Sequence, residues 1–169
     1  MSPDPLSVPC ASGATLRPTA RVLLVDPASR LLLLRAGTTA AGPLFWFVVG
    51  GGVEPGEDMR SAAVREVQEE TGLERVMIGP EVWRRRLLLV VDGARWDLRE
   101  RYFLARVPAF TPDCRGLTGW ERERVTELRW WSAPELAAST DRMAPADLAA
   151  RFATLLREGP PLVPDLLDR

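Results

Sequence analysis

Apolar positions recur along this chain in two rhythms. The runs at 21–25, 31–34, 45–49, 82–91, 95–107 and 125–131 are rich in Val, Leu, Phe and Trp and read as strands. A short strand is also expected at 75–78. Asp26-Pro27-Ala28-Ser29-Arg30, between the first two runs, predicts a β-hairpin, and Asp92-Gly93 predicts another between 82–91 and 95–107. The second rhythm is helical. It covers 59–71 and 145–157, where Leu148, Phe152, Leu155 and Leu156 share one face and Gly159 ends the helix. Ser132-Ala133-Pro134-Glu135 is a capping box with proline in the first turn, so a short helix starts there. Residues 1–14 read as a loose arm, 37–44 as a small-residue loop bordering a ligand site, 108–119 as a loop and 160–169 as a Pro-rich tail. One domain is expected at 16–157, with arms at 1–15 and 158–169.

The first helix carries the chemistry. Asp58 can cap its N-terminus, Gly72 can supply the left-handed residue after its end, and no Pro or Gly interrupts 59–71. At about 100° per residue, Glu66, Glu69 and Glu70 fall in roughly one quadrant of the helix. Ala63, Val64, Val67 and Thr71 line the adjoining quadrant, which suits a core. Three carboxylates within one turn repel unless something positive sits among them, and a hard divalent cation is the natural guest for oxygen ligands. Arg65 can balance part of that charge within the helix. The glycine run 50–52 follows the strand at 45–49 and leads through Pro55-Gly56 into the helix, giving a loop whose backbone can approach a ligand closely.

Composition narrows the chemistry further. At 169 residues, 46% apolar and 27% charged, the chain suits a single globular domain. It has no histidine, which excludes His-based acid–base catalysis, Ser-His-Asp triads and His-ligated zinc. Its two cysteines, Cys10 and Cys114, form neither a metal spacing nor a disulfide framework, so a cytoplasmic location is expected. A net charge of −1 makes a dedicated nucleic-acid binder unexpected, and no run is apolar enough to span a membrane. Arg84-Arg85-Arg86 reads as exposed or partner-facing arginines on a strand rather than a phosphate or RNA site.

The spacing G-x5-E-x7-R-E-V-x-E-E-x-G-L at 51–73 places Gly51, Glu57, Arg65, Glu66, Glu69, Glu70 and Gly72 at fixed offsets. It resembles the signature box of the Nudix hydrolases. Val49 stands where that family commonly has a proline before the paired glycines. TELRWWSAPEL at 126–136 also resembles the family's usual ending, a strand with Arg-Trp and then a capped helix, with Arg129-Trp130 read as structural.

The resemblance implies an α/β fold, an α/β/α sandwich with a mixed β-sheet. It also implies metal-dependent hydrolysis of a phosphoanhydride in a nucleoside diphosphate linked to another moiety: a nucleoside triphosphate, ADP-ribose, a nucleotide sugar or a dinucleoside polyphosphate. The rival reading is a non-catalytic nucleotide-sensing module of the same fold. By carry-over, Glu66, Glu69 and Glu70 hold Mg²⁺, or Mn²⁺ in its place, with the Gly50 carbonyl as a further ligand. Arg65 orients the glutamates and Glu57 braces the loop, an ion pair with no chemical role being the alternative for these two. The general base is expected at Glu121, with Glu123, Glu100 and Glu66 as alternatives. Trp46 and Trp120 are candidates for stacking on a nucleobase. The expected partner is a small nucleotide, and a homodimer is compatible with the reading.

Overall fold

Successive side chains of a strand point to opposite faces, and this alternation sorts the apolar runs into two cores. The structure is a computed structural model, and it describes residues 9–37, 42–91, 93–113, 116–117 and 124–167. In chain order the elements are β1 (Thr15–Val25), β2 (Leu31–Gly37), β3 (Leu44–Gly52), α1 (Met59–Thr71), β4 (Glu81–Val91), β5 (Ala94–Arg106), β6 (Val125–Trp131), α2 (Ala133–Ala138), β7 (Met143–Ala144), α3 (Leu148–Glu158) and β8 (Asp165–Leu166). The sheet runs β6-β2-β3-β1-β5-β4-β8, with β7 beside β3. It is mixed: β1 and β5 are parallel from Thr15 opposite Trp96 to Val25 opposite Arg106, whereas β2, β3 and β6 pair antiparallel.

On one face, Val22, Leu24, Leu32, Leu34, Phe103 and Ala105 pack against Ala62, Ala63 and Val67 of α1. On the other, Leu23, Leu33, Trp46, Val48 and Leu104 meet Leu136 of α2 and Leu148 and Phe152 of α3. Each fully buried Leu or Phe contributes about 1.5–3 kcal/mol, so both helical layers are held chiefly by these residues. The expected α/β/α sandwich is the fold observed. Beyond the reach of α2 and α3 the second face stays open, and it lines a cleft of about 540 Å³ bounded by β1, β3, β4 and β5.

The strongest local signals form as expected. Asp58 accepts from the N–H groups of Arg60 and Ser61, and Gly72, at φ 72°, donates to the Gln68 carbonyl. Ser132 and Glu135 form the capping box. Several expectations need correction. The first hairpin exists only at its turn, where Asp26 N–H donates to the Arg30 carbonyl, and a single register pair, Val25 with Leu31, joins its strands. Beyond it β3 lies between them, because both faces of β3 are apolar and central. Residues 75–78 form no strand. The last helix begins at Leu148, not 145. The tail contributes β8, which pairs with Trp83 and Arg84 and buries Leu167. Residues 9–14 are tied down through Asp97, which accepts from Ala11 N–H, and through the Pro9 carbonyl, which accepts from Arg86; residues 1–8 lie outside the described residues.

Candidate active site

The glycine strand end and the acidic helix meet because glycine leaves no side chain between them. Gly50 has φ 133°, and a Cβ there would stand 2.1 Å from the Ala20 carbonyl oxygen of the neighbouring strand. At Gly51 a Cβ would stand 2.6 Å from Glu66 Oε1. The backbone thereby comes up against α1, and Gly50 N–H donates to Glu70 Oε2 at 2.7 Å. Val49, at the place where a proline is usual, is buried within β3 and paired with Val22, so the sheet itself holds the entry to the loop.

Arg65 is the centre of the carboxylates. It donates through Nε and Nη2 to both oxygens of Glu57 (3.0 and 2.9 Å), through Nη1 to Glu66 (2.7 Å) and Glu69 (3.3 Å), and through Nη2 to the Gly52 carbonyl (2.9 Å). The positive charge demanded by three clustered carboxylates is therefore supplied, in part, by the helix's own arginine. The hydrogen bonds from Arg65 hold the Glu57 carboxyl below the usual carboxylate range, and the same bonds raise the Arg65 guanidinium. The salt bridge anticipated for Glu57 and Arg65 is thus present. Glu66 and Glu70 are buried, while the Glu69 side chain is 42% exposed. Among the described residues no three acidic side chains close around one point; the carboxylates are spread around Arg65. The donors remain all-oxygen and anionic, which suits a hard divalent cation that keeps much of its own water shell. The Gly50 carbonyl accepts from Arg21 Nη1 at 2.6 Å, which leaves it one lone pair.

Across the cleft lies Glu100, one of the candidate bases, in a polar group whose other members, Arg21, Arg85 and Tyr102, the sequence did not bring together with it. Glu100 accepts from Arg21 Nε (3.1 Å) and from the Tyr102 hydroxyl (2.8 Å), and Arg85 Nε stands 3.5 Å from it. Burial pushes the Tyr102 phenol well above its ordinary range, with the Glu100 charge adding to the shift, so the hydroxyl stays a donor. Burial works against the Arg21 charge, and the neighbouring acidic groups, Glu100 first among them and then Tyr102 and Glu70, together outweigh it. Glu100 is therefore engaged on both oxygens, an arrangement that favours holding cleft side chains in place over taking a proton from water. One signal for this group was present: Arg17, Thr19 and Arg21 are polar at alternate positions, as expected for a strand face turned to a polar site.

Other candidates fall elsewhere. Trp46, a stacking candidate, is buried, set edge-on to Trp131, and donates to Asp141, which closes its ring to the cleft. Trp96, which the sequence did not single out, lines the cleft instead. The three consecutive arginines are not simply exposed: Arg84 pairs with Glu81, Arg85 with Glu100 and Arg86 with Asp97. Arg129 lies over the Trp131 ring at 4.0 Å and pairs with Glu135, a structural arrangement. Glu121, Glu123 and Trp120 lie outside the described residues.

A mixed-sheet sandwich that presses a glutamate helix against a glycine strand end defines a Nudix domain, and the NUDIX domain family matches residues 15–152. The chain belongs to the Nudix family. It is 30% identical over 135 residues to an RNA pyrophosphohydrolase of Novosphingobium aromaticivorans, covering 74% of this chain and 83% of that one. Among solved structures it is similar to a MutT protein from Methanosarcina mazei Go1 (TM-score 0.66, 21% identity, 88% of this chain and all of that one). It is also similar to an Ap4A hydrolase of C. elegans (TM-score 0.59, 22% identity, 83% and 98% of the two chains). These two likenesses bear on the fold. No helix among the described residues is long and apolar enough to cross a membrane.

Proposed function

We propose that this chain is a metal-dependent pyrophosphohydrolase acting on a small nucleotide in which a nucleoside diphosphate is linked to a further group. The observation that carries the reading is the gathering of Glu66 and Glu69 at Arg65, with Glu70 one turn along on the Gly50 N–H, against a side-chain-free strand end that opens on the cleft. Glu66, Glu69 and Glu70, with the remaining lone pair of the Gly50 carbonyl, would hold the cation, Mg²⁺ or Mn²⁺. When bound, that ion supplies Lewis-acid neutralisation of phosphoryl charge. The chain's own groups do the rest. Arg65 fixes the orientation of Glu66 and Glu69, Glu57 fixes Arg65 and the loop at Glu54, and the glycines let phosphate oxygens approach the backbone. The base expected from sequence is Glu121, with Glu123 and Glu100 as alternatives outside the box and Glu66 within it.

A non-catalytic nucleotide sensor is the less supported reading, because every acidic residue of the box is present. The test is a nucleotide panel with Mg²⁺ and with EDTA, reading out phosphate, pyrophosphate and nucleoside monophosphate. The panel includes ADP-ribose, nucleotide sugars, dinucleoside polyphosphates, nucleoside triphosphates and a 5′-triphosphorylated oligonucleotide, the last because of the Novosphingobium relative's name. Hydrolysis of at least one member, abolished by EDTA, is the expected outcome. Binding without turnover across the whole panel would establish the sensor instead.

A further inference from the structure

Of the arginines lining the cleft, Arg17, Arg21 and Arg85 differ in how their charge is met. Arg21 and Arg85 share the enclosed carboxylate of Glu100. Arg17 pairs with no carboxylate among the described residues. Its place is set by two surfaces: its Cζ lies 5.5 Å from the centre of the Trp96 ring, and the bare backbone of Gly52 lies beneath it. A Cβ on Gly52 would stand 2.8 Å from Arg17 Nε and 3.0 Å from Nη2, so any larger residue there would displace the guanidinium.

Arg17 is exposed, so contact with Trp96 and Gly52 sets its place while its five N–H donors make no hydrogen bond to the described residues and stay open to the cleft. Gly51, the next residue back, faces Glu66 on the other side of the same strand. The glycine strand end is flanked by the carboxylates on one face and, on the other, by a guanidinium with no carboxylate partner among the described residues.

We propose that Arg17 is a specificity-determining residue. It takes a phosphate of the substrate adjoining the phosphoanhydride handled at the glutamates, so that the site selects nucleoside 5′-triphosphates over nucleoside diphosphates joined to a neutral sugar. The guanidinium fork matches phosphate oxygens in charge and geometry, whereas a sugar hydroxyl at that place offers only a neutral acceptor. This deepens the hydrolase reading above and rests on it for the placement of the scissile bond.

The test measures calorimetric affinity for adenosine 5′-(α,β-methylene)triphosphate and for the matching diphosphate, alongside kcat/KM for ATP and ADP-ribose. The protein is wild type, Arg17→Gln and Gly52→Ala, each checked for its fold by circular dichroism. Wild type is expected to bind the triphosphate analogue at least about tenfold more tightly than the diphosphate, the size of one charge-assisted contact. Arg17→Gln should remove that preference and raise KM for ATP, leaving ADP-ribose within about twofold. Gly52→Ala, whose carbonyl also serves Arg65, is read in the binding series alone: it should narrow the triphosphate-over-diphosphate preference by displacing Arg17, whereas general damage to the loop would weaken both ligands alike. Equal loss for both analogues in Arg17→Gln, or none for either, overturns the proposal. If wild type binds the analogues but hydrolyses nothing, the hydrolase reading fails, and the binding series still decides Arg17. If wild type hydrolyses nucleotides without preferring the triphosphate, Arg17 fails and the hydrolase reading stands.

Discussion

Replacing Arg65 by Met keeps the helix-forming side chain and its bulk but removes the charge at the centre of the carboxylates. The change leaves Glu57 without its bidentate partner and Glu66, Glu69 and the Gly52 carbonyl without their shared donor. Breaking a fully buried pair costs about 3–5 kcal/mol. The Arg65 side chain is 24% exposed and that of Glu69 42%, so solvent reduces the cost to roughly 2–4 kcal/mol. For a chain of this size that is a fall in melting temperature of roughly 5–15 °C. Melts followed by tryptophan fluorescence in EDTA measure it. A second arm adds millimolar Mg²⁺. With Arg65 gone, three unbalanced carboxylates await a cation, so the ion should raise the melting temperature of the variant more than that of wild type, where it competes with the guanidinium. Superimposable EDTA melts of variant and wild type would refute the reasoning about Arg65, and an equal Mg²⁺ response in both would refute the competition.

Glu69→Gln and Glu70→Gln should each retain the fold and lose at least about a hundredfold in turnover, because a near-isosteric amide removes charge from the cluster; wild-type kcat in either variant removes that residue from the site. Gly50→Ala and Gly51→Ala should separate sharply: the first meets a backbone oxygen at a φ of 133° and should fail to express as folded protein, while the second meets only the Glu66 carboxylate and should fold with a loss of about 1–3 kcal/mol, measured by urea titration. Asp97, held far below the usual carboxylate range mainly by its hydrogen bonds from Arg86, gives a pH signature. A depressed carboxyl contributes stability that is full above its unfolded pKa of about 3.9 and is lost as pH falls. The stability gap between wild type and Asp97→Asn should therefore be constant above about pH 5 and shrink below about pH 4, and parallel curves through that range would contradict the pairing.

What the sequence by itself determined is local. The caps of α1, the quadrant of Glu66, Glu69 and Glu70, the glycine run before it and the capping box at Ser132 all follow from spacing within one or two helical turns, where geometry is set by the backbone alone. The Arg65–Glu57 clamp was legible as well, since eight residues across one loop leave few alternatives. What the tertiary structure decided is which distant segments share a surface. The parallel pairing of β1 with β5 brings Arg17, Thr19 and Arg21 alongside Leu98, Glu100 and Tyr102 from about eighty residues further on, and no local pattern specifies that register. The same pairing turned Trp96 to the cleft, while the central place of β3 buried Trp46. Both tryptophans sit in equally plausible apolar strands, and burial depends on strand order, which is a non-local property. β3 likewise displaced the hairpin partner expected for β1, because a strand apolar on both faces is most stable in the middle of a sheet covered by helices on both sides.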